Sequence, residues 1–460
     1  MAKEENGKKS ASKKSGTTKR TTTSKSGSSA KKKKSTQATN PTVGDVVTTA
    51  VKSASKSNST FVKVLVLLLV VAIVGLCIYG YFAGWFDSIL HPDTTPSGFN
   101  SQTYNAEVIK NEDLSIHFLE TGNWNTGDCI YIKVGQTDIL IDAGSTRSSA
   151  DTIDNYIKQY CTDGKLEYVV ATHAHEDHIA GFVGTNTVSG IFDRYKCDNL
   201  IQFARKNTDS KLYNDYVDKV DNLRENGTNV YTALQCWNNE GGAKRKYQLT
   251  SDVSMEVLYQ KYYENNSSTE NNYSVCLLFR QGNNNYLFTG DLEKAGEESL
   301  VDSNTLPQCV LYKAGHHGSK TSSHDKMLSA IKPQIVCVCC CAGTDEYTKE
   351  PANMFPTQDF VDRIAPYTDK VYVTTLGKEN KTFESMNGNI VYGCSYKEVN
   401  ADGDTAGATD GTTSEGKTSA AKEYVMNMYF SANDTKLKDT DWFKNNRTMP
   451  EAWKKDEAAQ

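Results

Sequence analysis

Three of the eight histidines in this 460-residue chain lie within six positions, at His173, His175 and His178. With Asp177 they form an H-x-H-x-D-H pattern. Imidazole nitrogens and carboxylate oxygens at such short intervals suit a divalent metal. The preceding segment, LEYVVATH, is rich in β-branched and apolar residues and predicts a buried strand. A polar loop that happens to be rich in histidine is the alternative. The apolar residues on both sides favour metal ligands at the carboxyl end of a strand, a usual place for chemistry in α/β proteins.

The first 60 residues have the composition of a disordered segment. They contain 14 Lys and Arg residues against three acidic ones, and Ser and Thr make up much of the rest. Such side chains cannot bury enough apolar surface to offset chain entropy. We therefore expect residues 1–60 to form a disordered basic head. Its charge can serve to bind anionic lipid or nucleic acid, or only to signal topology, and the second interpretation is favoured.

An apolar run from Val64 to Phe86 follows the head and holds 23 residues without a charge. This length crosses a hydrocarbon core of about 30 Å. A buried core helix and a cleaved signal peptide are the alternatives; the length argues against the first and the long basic head against the second. We predict one transmembrane helix within residues 61–86. The positive charges predict a single-pass protein of the cell membrane with a cytoplasmic N-terminus and an extracellular domain beyond a linker at residues 87–103.

The globular part of the chain starts near Tyr104. The segments AEVIK, SIHFLE, CIYIKVG and TDILIDAG predict successive strands, and later segments alternate between helical and strand patterns. Two sheets flanked by helices account for this order, and we place the domain at residues 104–400. Residues 401–421 are rich in Gly, Thr, Ser, Ala and Asp and predict a flexible linker. Residues 422–460 form a C-terminal tail that can dock as a short helix.

Twelve cysteines raise the question of disulfides outside the cell. Four of them lie in IVCVCCCAG, which predicts a buried strand that uses cysteine as a small hydrophobic residue. Two C-x-x-C pairs with turns between, which are typical of cysteine metal sites, do not occur in the sequence. One or two disulfides among the remaining cysteines stay open at this point.

Three further segments place polar candidates just after an apolar run. Asp142 lies in LIDAG, Asp291 ends LFTGD, and His316 and His317 lie in LYKAGHHGS. Strand ends at one sheet edge can gather around one point. We therefore expect these residues and the histidine cluster to converge on one metal centre.

The motifs HAHEDH, LIDAG, FTGD and HHGS, in this order, resemble those of the metallo-β-lactamase fold. The resemblance covers roughly residues 104–396 and implies an α+β, four-layer αββα sandwich. The segments TGDLEKAGEE, KAGHHGSKTSS and NNYSVCLLF are similar to the extracellular C-terminal domain of DNA-uptake competence channel proteins. This chain lacks the many membrane spans of the channel itself, so it resembles the free-standing, single-anchor members of that group.

The resemblance implies a role for each candidate residue. It assigns the first metal to His173 and His175, the second metal to Asp177 and His178, the bridge to Asp291, and completion of the second site to His316, with His317 as the alternative. Asp142 would orient the cluster by hydrogen bonding, so that catalysis depends on Asp142 as well as Asp177. His175 departs from the competence-type pattern, which usually has Asp at that position.

The first metal lacks one ligand that many members of the family have, because no histidine occurs between His178 and His316. Either water completes the first site, or Asn272 or His317 fills it. We therefore expect one or two divalent metal ions, with zinc favoured over manganese. An open coordination position is compatible with catalysis.

The residues after the second histidine pair are candidate substrate contacts. Ser319 and Lys320 follow directly and can hold a phosphate oxygen through a hydroxyl and an ammonium group. With His317 and Asn272 they complete the set of candidate substrate contacts. The alternative is that Ser322 or Ser323 simply caps the helix DKMLSAI.

Three functions remain in competition. The first is a membrane-anchored, extracellular phosphodiesterase or nuclease that acts through metal-activated water, with DNA favoured by the resemblance. The second keeps the metal hydrolase and changes the substrate to a lactone, a small ester or a cell-wall phosphodiester. The third is a non-catalytic, metal-stabilised binding module, which the intact ligand set disfavours. The net charge of −5 despite a basic head counts against easy DNA binding. Protein partners are unknown.

Overall fold

The structure is a computed structural model that describes residues 100–399 and 421–454. The predicted basic head, the predicted transmembrane segment Val64–Phe86 and most of both predicted linkers lie outside these residues. Within residues 100–399 and 421–454, no helix is both long enough and apolar enough to cross a membrane.

Seventeen strands are present in the described part of the chain. They are β1 Asn100–Thr103, β2 Leu114–Phe118, β3 Ile130–Val134, β4 Thr137–Ile141, β5 Lys165–Ala171, β6 Lys196–Gln202, β7 Asn229–Thr232, β8 Lys246–Gln248, β9 Val253–Leu258, β10 Cys276–Gln281, β11 Asn284–Phe288, β12 Leu311–Lys313, β13 Ile335–Ala342, β14 Val371–Lys378, β15 Thr382–Ser385, β16 Ile390–Val399 and β17 Ala421–Phe430.

Eleven α-helices connect or follow these strands in the same ranges. They are α1 Ala106–Ile109, α2 Ser149–Ile157, α3 Glu176–Val183, α4 Ile191–Arg194, α5 Lys211–Glu225, α6 Ala233–Asn238, α7 Lys294–Ser303, α8 Asp325–Ile331, α9 Gln358–Ile364, α10 Asp441–Asn446 and α11 Glu451–Lys454.

The strands form two sheets. The first has nine strands in the order β1-β17-β16-β2-β3-β4-β5-β6-β7, and the second has eight in the order β15-β14-β13-β12-β11-β10-β9-β8. Strands β4 to β7 run parallel, as do β11 to β14. Each sheet therefore presents a row of carboxyl strand ends along one edge, where polar loops can converge.

The two sheets pack face to face through aromatic side chains. Phe118 of the first sheet stacks on Phe288 of the second with ring centroids 6.3 Å apart, and Tyr392 meets Tyr286 at 5.2 Å. In β10, Leu277 belongs to the core between the sheets, whereas its neighbour Leu278 belongs to a separate core on the outer face. This alternation is what a strand buried on both faces requires.

Helices cover both outer faces. Helix α5 contributes Tyr216, Val220 and Leu223 to the core of the first sheet, and the hydroxyl of its N-cap Ser210 accepts a hydrogen bond from a backbone N–H of the first turn. Helices α7 to α9 cover the second sheet with buried side chains such as Leu300. The predicted αββα sandwich, with two sheets between outer helices, is confirmed for the described residues.

The segment AEVIK is a helix, so the prediction of a strand there was wrong. Helix α1 starts after Asn105, whose side-chain oxygen accepts hydrogen bonds from the backbone N–H groups of Glu107, at 3.0 Å, and Val108, at 3.4 Å. A capping side chain of this kind satisfies amide groups that a helix end leaves free.

The sheet also extends beyond the boundaries predicted for the domain. Strand β1 includes residues assigned to the first linker, and β17 includes residues assigned to the second linker and the tail. Strand β17 lies between β1 and β16 in the first sheet. The terminal helices pack on the second sheet, where Phe443 and Trp453 are buried. The C-terminal segment is therefore part of the sandwich.

The eleven cysteines in the described ranges are all buried and free. In β13, Cys337 and Cys339 face the core between the sheets, and Cys340 faces the outer core. The sequence IVCVCCCAG thus places small apolar side chains on both faces of an interior strand, as predicted. The disulfides left open by the sequence are not present among these residues.

Candidate metal centre

Four strand ends deliver the predicted metal-site residues to one edge of the sandwich. Strands β4 and β5 are parallel neighbours, and their loops carry Asp142 and the histidine cluster. Strands β11 and β12 are parallel neighbours in the second sheet, and their loops carry Asp291 and the His316–His317 pair. The convergence expected from the sequence is therefore observed.

Four side chains form the centre of this site: Asp177, His178, Asp291 and His317. One ligand atom from each lies within 4.8 Å of all the others. The Nε2 atom of His317 is 3.2 Å from an oxygen of Asp177 and 3.2 Å from an oxygen of Asp291. The Nε2 atom of His178 is 3.1 Å from the same Asp291 oxygen. Two imidazoles and two carboxylates at this spacing are a suitable ligand set for a divalent cation.

Asp142 fixes the orientation of His178. Its Oδ2 atom lies 2.8 Å from Nδ1 of His178 and accepts a hydrogen bond from the hydroxyl of Thr172 at 2.7 Å. Its Oδ1 atom accepts one from the backbone N–H of Thr172 at 2.8 Å. The bond to Nδ1 leaves Nε2 of His178 facing the cluster, as in metal sites where a carboxylate sets the histidine tautomer.

His173 and His175 form a second pair beside this cluster. Nε2 of His173 lies 3.1 Å from Nδ1 of His175, and the rings of His173 and His178 are 4.1 Å apart. The other nitrogen of His173 faces the hydroxyl of Ser274 at 3.4 Å. The two imidazoles assigned to the first metal are therefore adjacent, and their role as metal ligands stays a prediction.

Asn272 does not fill the missing ligand position of that pair. Its side chain bonds to the hydroxyl of Ser267 and to the backbone N–H of Glu293. The neighbouring Asn271 instead has its amide nitrogen 3.5 Å from the His316 ring. The short 3₁₀ turn at Glu270–Tyr273 thus presents Asn271, not Asn272, to the site.

The adjacent histidines His316 and His317 have different surroundings, and the prediction had given the ligand position to His316. His317 is fully buried, with Nδ1 2.8 Å from the backbone oxygen of Cys339. Nε2 of His316 is 3.9 Å from Asp291, and its Nδ1 is 2.7 Å from the hydroxyl of Thr321. The geometry favours His317 as the ligand and leaves His316 at the edge of the cluster.

Asp128 and Lys313 form a buried ion pair next to the ligand set, and the sequence analysis missed both. Lys313 Nζ contacts Asp128 and lies 3.5 Å from Asp291. Asp128 is also 3.2 Å from Nδ1 of His317. The one sequence signal was the tripeptide Thr-Gly-Asp, which ends at Asp128 and again at Asp291.

The charges of the centre fit a bound divalent cation. Among its described side chains, four carboxylates (Asp128, Asp142, Asp177 and Asp291) are buried beside a single buried ammonium, that of Lys313. Burial alone would lower the pKa of both His178 and His317, but the neighbouring carboxylates, Asp291 foremost, outweigh it and raise both pKa values well above the usual range. Nε2 of His317 is also buried without a hydrogen bond. A cation would supply positive charge and a partner for that nitrogen.

Backbone contacts hold the loops of the centre together. The backbone N–H of Asp128 donates to the oxygen of Asp177 at 3.0 Å, and that of Gly144 donates to the oxygen of Asp128 at 2.8 Å. A Cβ atom on Gly144 would lie 1.5 Å from the Asp177 oxygen. The motif LIDAG therefore needs glycine at this position because the ligand loop passes against it.

Comparison with known proteins supports the family indicated by the motifs. The family model described as Metallo-beta-lactamase superfamily matches residues 122–184. Residues 122–184 of this chain therefore resemble the metallo-β-lactamase superfamily. The metallo-beta-lactamase fold protein YhfI from Bacillus subtilis overlays with a TM-score of 0.32 at 10% identity, covering 57% of this chain and 96% of that one.

The curated proteins that this chain resembles include a recombination protein, a ComE operon protein and Competence protein ComA of Neisseria gonorrhoeae. Recombination protein 2 of Haemophilus influenzae is 27% identical over 211 residues, 45% of this chain and 22% of that protein. ComE operon protein 3 of Bacillus subtilis is 31% identical over 177 residues, 38% of this chain and 20% of that protein. The matches span about a fifth of these relatives. The predicted resemblance to metallo-β-lactamase-type hydrolases and competence proteins is confirmed.

A cleft of about 470 Å³ opens beside the candidate metal centre. It is lined by Asn125, Ser145, Thr146, His175, Glu176, Asp177, His316, Glu346 and Tyr347. Most of these residues lie on loops at the carboxyl strand ends. Glu346 and Tyr347 carry no sequence signal of their role, because nothing in the segment GTDEYTKE resembles a motif.

Two of the predicted substrate contacts lie away from this cleft. The ammonium of Lys320 donates to the side chain of Asn353 at 2.8 Å, and the hydroxyl of Ser319 is 3.1 Å from that of Thr321. Ser319 therefore supports the Thr321 hydroxyl that contacts His316, and Lys320 bonds to a surface segment.

The alternative that a serine caps helix α8 is wrong as well. His324 occupies the N-cap position, and the carboxylate of Glu297 accepts hydrogen bonds from the backbone N–H groups of Ser323 and His324. Ser322 instead donates to the backbone oxygen of Leu292. A carboxylate from helix α7 thus satisfies the amide groups at the start of α8.

Proposed function

We propose that this domain is a metal-dependent phosphodiesterase, with DNA as its favoured substrate. The observation that carries the proposal is the buried set Asp177, His178, Asp291 and His317 beside an open cleft of about 470 Å³. Such a cleft has the volume of a small-molecule or single-nucleotide site. A purely structural metal would need no adjoining cleft.

Each residue of the centre then has a task. When bound, a divalent cation supplies Lewis-acid activation of water and of the phosphoryl group at neutral pH. Asp142 holds the His178 ring by its 2.8 Å contact, so that Nε2 faces the centre. Lys313 and Asp128 hold the carboxylate of Asp291 and the ring of His317 from behind. These contacts keep the ligand atoms in place before substrate arrives.

A groove on the same sheet edge supports a nucleic-acid substrate. Residue Gln202 at the end of β6 pairs with Ala171 at the end of β5, and the next residues along the two strands lead to Arg205 and to His173. The groove has a volume of about 250 Å³ and is lined in part by Arg205, Lys206 and Tyr213. Basic and aromatic side chains side by side can take a single strand through phosphate contact and base stacking. The names Recombination protein 2 and Competence protein ComA, carried by two relatives, support the same substrate class.

We infer the place of action from the sequence. A helix within residues 61–86 would tether the domain to the outer face of the cell membrane, with the basic head inside. A nuclease in this position would act on DNA at the cell surface.

The test is cleavage of end-labelled single- and double-stranded DNA by the full chain, with zinc or manganese added. We compare the wild type with Asp177→Ala, and with Asp302→Ala as a control that removes a surface carboxylate of α7 paired with Lys326. We expect metal-dependent cleavage by the wild type and the control and none by Asp177→Ala.

Absence of DNA cleavage by a chain that binds metal would contradict the DNA assignment. Turnover of a simple phosphodiester in that case would keep the phosphodiesterase and redirect the search to cell-wall phosphodiesters. If the chain cleaves neither DNA nor the simple phosphodiester, the proposal as a whole is contradicted. Esters or lactones would then be the favoured substrates.

A further inference from the structure

The loop after β13 brings a tyrosine to the metal centre. The side chain of Tyr347 is 53% exposed, yet its hydroxyl donates a hydrogen bond of 2.8 Å to Oδ2 of the nearly buried Asp177. The ring therefore forms part of the cleft wall, with its polar end at the ligand cluster. A phenol in this place is a neutral hydrogen-bond donor that a substrate in the cleft can reach.

Two contacts fix the position of this loop. The carboxylate of Glu346 accepts hydrogen bonds from the side chain of Asn125 at 2.6 Å and from the backbone N–H of Thr126 at 2.7 Å. On the other side, the Phe355 ring lies 5.6 Å from the Tyr347 ring and about as far from His316, at 5.8 Å. The loop is thus joined both to the segment before β3 and to the metal centre.

The cleft is acidic, so a neutral donor such as the Tyr347 hydroxyl matters for binding a phosphodiester. Among the described residues that line it, Glu176, Asp177 and Glu346 are acidic and none is Lys or Arg. A phosphodiester carries a negative charge, which these carboxylates repel. Several other polar groups of the wall are already engaged: the Asn125 amide bonds to Glu346, and the Ser145 hydroxyl bonds to Asn123. Among the hydroxyl groups of the described cleft wall, that of Tyr347 points at the ligand cluster.

We propose that the Tyr347 hydroxyl donates a hydrogen bond to a non-bridging oxygen of the scissile phosphate, and that Glu346 positions it. Tyr347 is then a catalytic residue, and on substrate binding its hydroxyl exchanges the bond to Asp177 for one to the phosphate. The inference rests on the proposed phosphodiesterase function. Loss of one such donor to developing negative charge costs about 10²- to 10³-fold in kcat.

The test compares the full-length wild type with Tyr347→Phe, which removes only the hydroxyl. The control is Tyr367→Phe, on the segment before β14 and so at the opposite edge of the second sheet. Three quantities are measured: turnover of bis(p-nitrophenyl) phosphate, metal content and affinity, and the dissociation constant of inorganic phosphate. We expect Tyr347→Phe to lower kcat about 10²-fold and to weaken phosphate binding, with metal affinity equal to that of the wild type and the control.

Unchanged kcat and unchanged phosphate binding in Tyr347→Phe would overturn the inference. So would a loss of metal affinity that accounts for the loss of rate, because Tyr347 would then act on Asp177 alone. If the wild type does not hydrolyse the phosphodiester, the proposed function fails. The phosphate titration still tests the hydrogen bond between the Tyr347 hydroxyl and phosphate. Weaker phosphate binding by Tyr347→Phe than by the wild type supports this bond. Equal binding by the two proteins, or no binding by either, refutes it.

Glu346→Gln tests the positioning role. This substitution keeps one acceptor oxygen and removes the charge, so we expect a lower kcat with little change in KM. In the Tyr347→Phe background the same change should have no further effect, since the hydroxyl that Glu346 positions is gone. Additive losses in the double variant would show that Glu346 does not act through Tyr347.

Discussion

His316 and His317 are chemically identical neighbours, and only their surroundings separate them. Both have left-handed backbone conformations, with φ of 46° and 54°, in a tight turn after β12. The turn points one ring into the buried cluster and leaves the other against Thr321 at the cleft. A divalent cation held by Asp177, His178 and Asp291 would therefore depend on one histidine of the pair much more than on the other.

We predict that His317→Ala weakens metal binding far more than His316→Ala does. Loss of a ligand should exceed the roughly 10- to 100-fold cost of losing a group that only supports a ligand. Competition with a chromophoric chelator measures both affinities. Equal losses in the two variants, or a larger loss for His316→Ala, would contradict the assignment of His317.

His117 predicts a pH dependence of stability. It is buried in β2, with its nitrogens 2.9 Å from the hydroxyl of Tyr156 and 2.8 Å from that of Ser115, and burial lowers its pKa to about 3. The unfolded chain takes up a proton near pH 6.5, whereas the folded chain does so only near pH 3. The stabilising effect of neutral His117 is therefore complete above pH 6.5 and is lost as the pH falls towards 3.

We expect the free-energy advantage of the wild type over His117→Gln to shrink by about 2 kcal/mol between pH 7.5 and pH 5. Denaturant unfolding of both proteins at the two pH values measures this change. A difference that stays constant or grows on acidification would show that the His117 ring is already protonated in the fold.

The sequence was informative about residues that follow a strand within a motif, such as Asp142 and Asp291. It did not reveal Asp128, which lies in a loop before β3 and reaches the centre only through the tertiary fold. It named Asn272, whereas Asn271 lies beside the His316 ring, because the orientation of a 3₁₀ turn decides which of two neighbouring side chains faces the histidine. Spacing along the chain reports where a loop begins, but not how its side chains point.

At the scale of elements, patterns of burial predicted the interior strands well and the edge of the sheet poorly. Strand β10 and the hairpin to β11 follow from apolar runs around a Gly-Asn turn, with Gly282 at φ 57°. Strand β17 was not predicted, because a segment rich in Gly, Thr and Ser separates it from the domain. Its place beside β16 depends on pairing over a long sequence distance, which no local pattern encodes.

The position of β17 predicts that a chain ending at Val399 is unstable. Truncation would remove four buried apolar side chains of the first sheet: Met426, Met428, Tyr429 and Phe430. Their burial contributes about 6–12 kcal/mol at most, comparable to the whole stability of a typical domain. We expect the chain ending at Val399 to unfold or aggregate, whereas a chain ending at Lys454 should remain folded. Near-ultraviolet circular dichroism and denaturant unfolding distinguish the two, and equal stability would refute the role of β17.

At the scale of the whole molecule, the sandwich is held together without disulfides in its described part. Burial raises the pKa of the thiols, for example that of Cys309 to about 12. Since the thiolate is the reactive form, these cysteines should be inert while the protein is folded. We predict that the eleven described thiols react slowly with a disulfide reagent in the native protein and rapidly in denaturant. Ser303→Cys, on the exposed end of α7, provides a fast-reacting control, and rapid native reaction of several wild-type thiols would contradict the packing.

Strand direction also decides how the domain can be attached to a support. Strand β1 runs parallel to β17 and in the same direction as β4, so that Thr103 lies at the edge with the cleft and Asn100 lies level with the start of β4. An affinity tag or fusion partner placed just before Asn100 would join at the side away from the metal centre. Protein immobilised through such a tag would keep its cleft accessible to long polymers in solution, which makes surface-based cleavage assays practical for this chain.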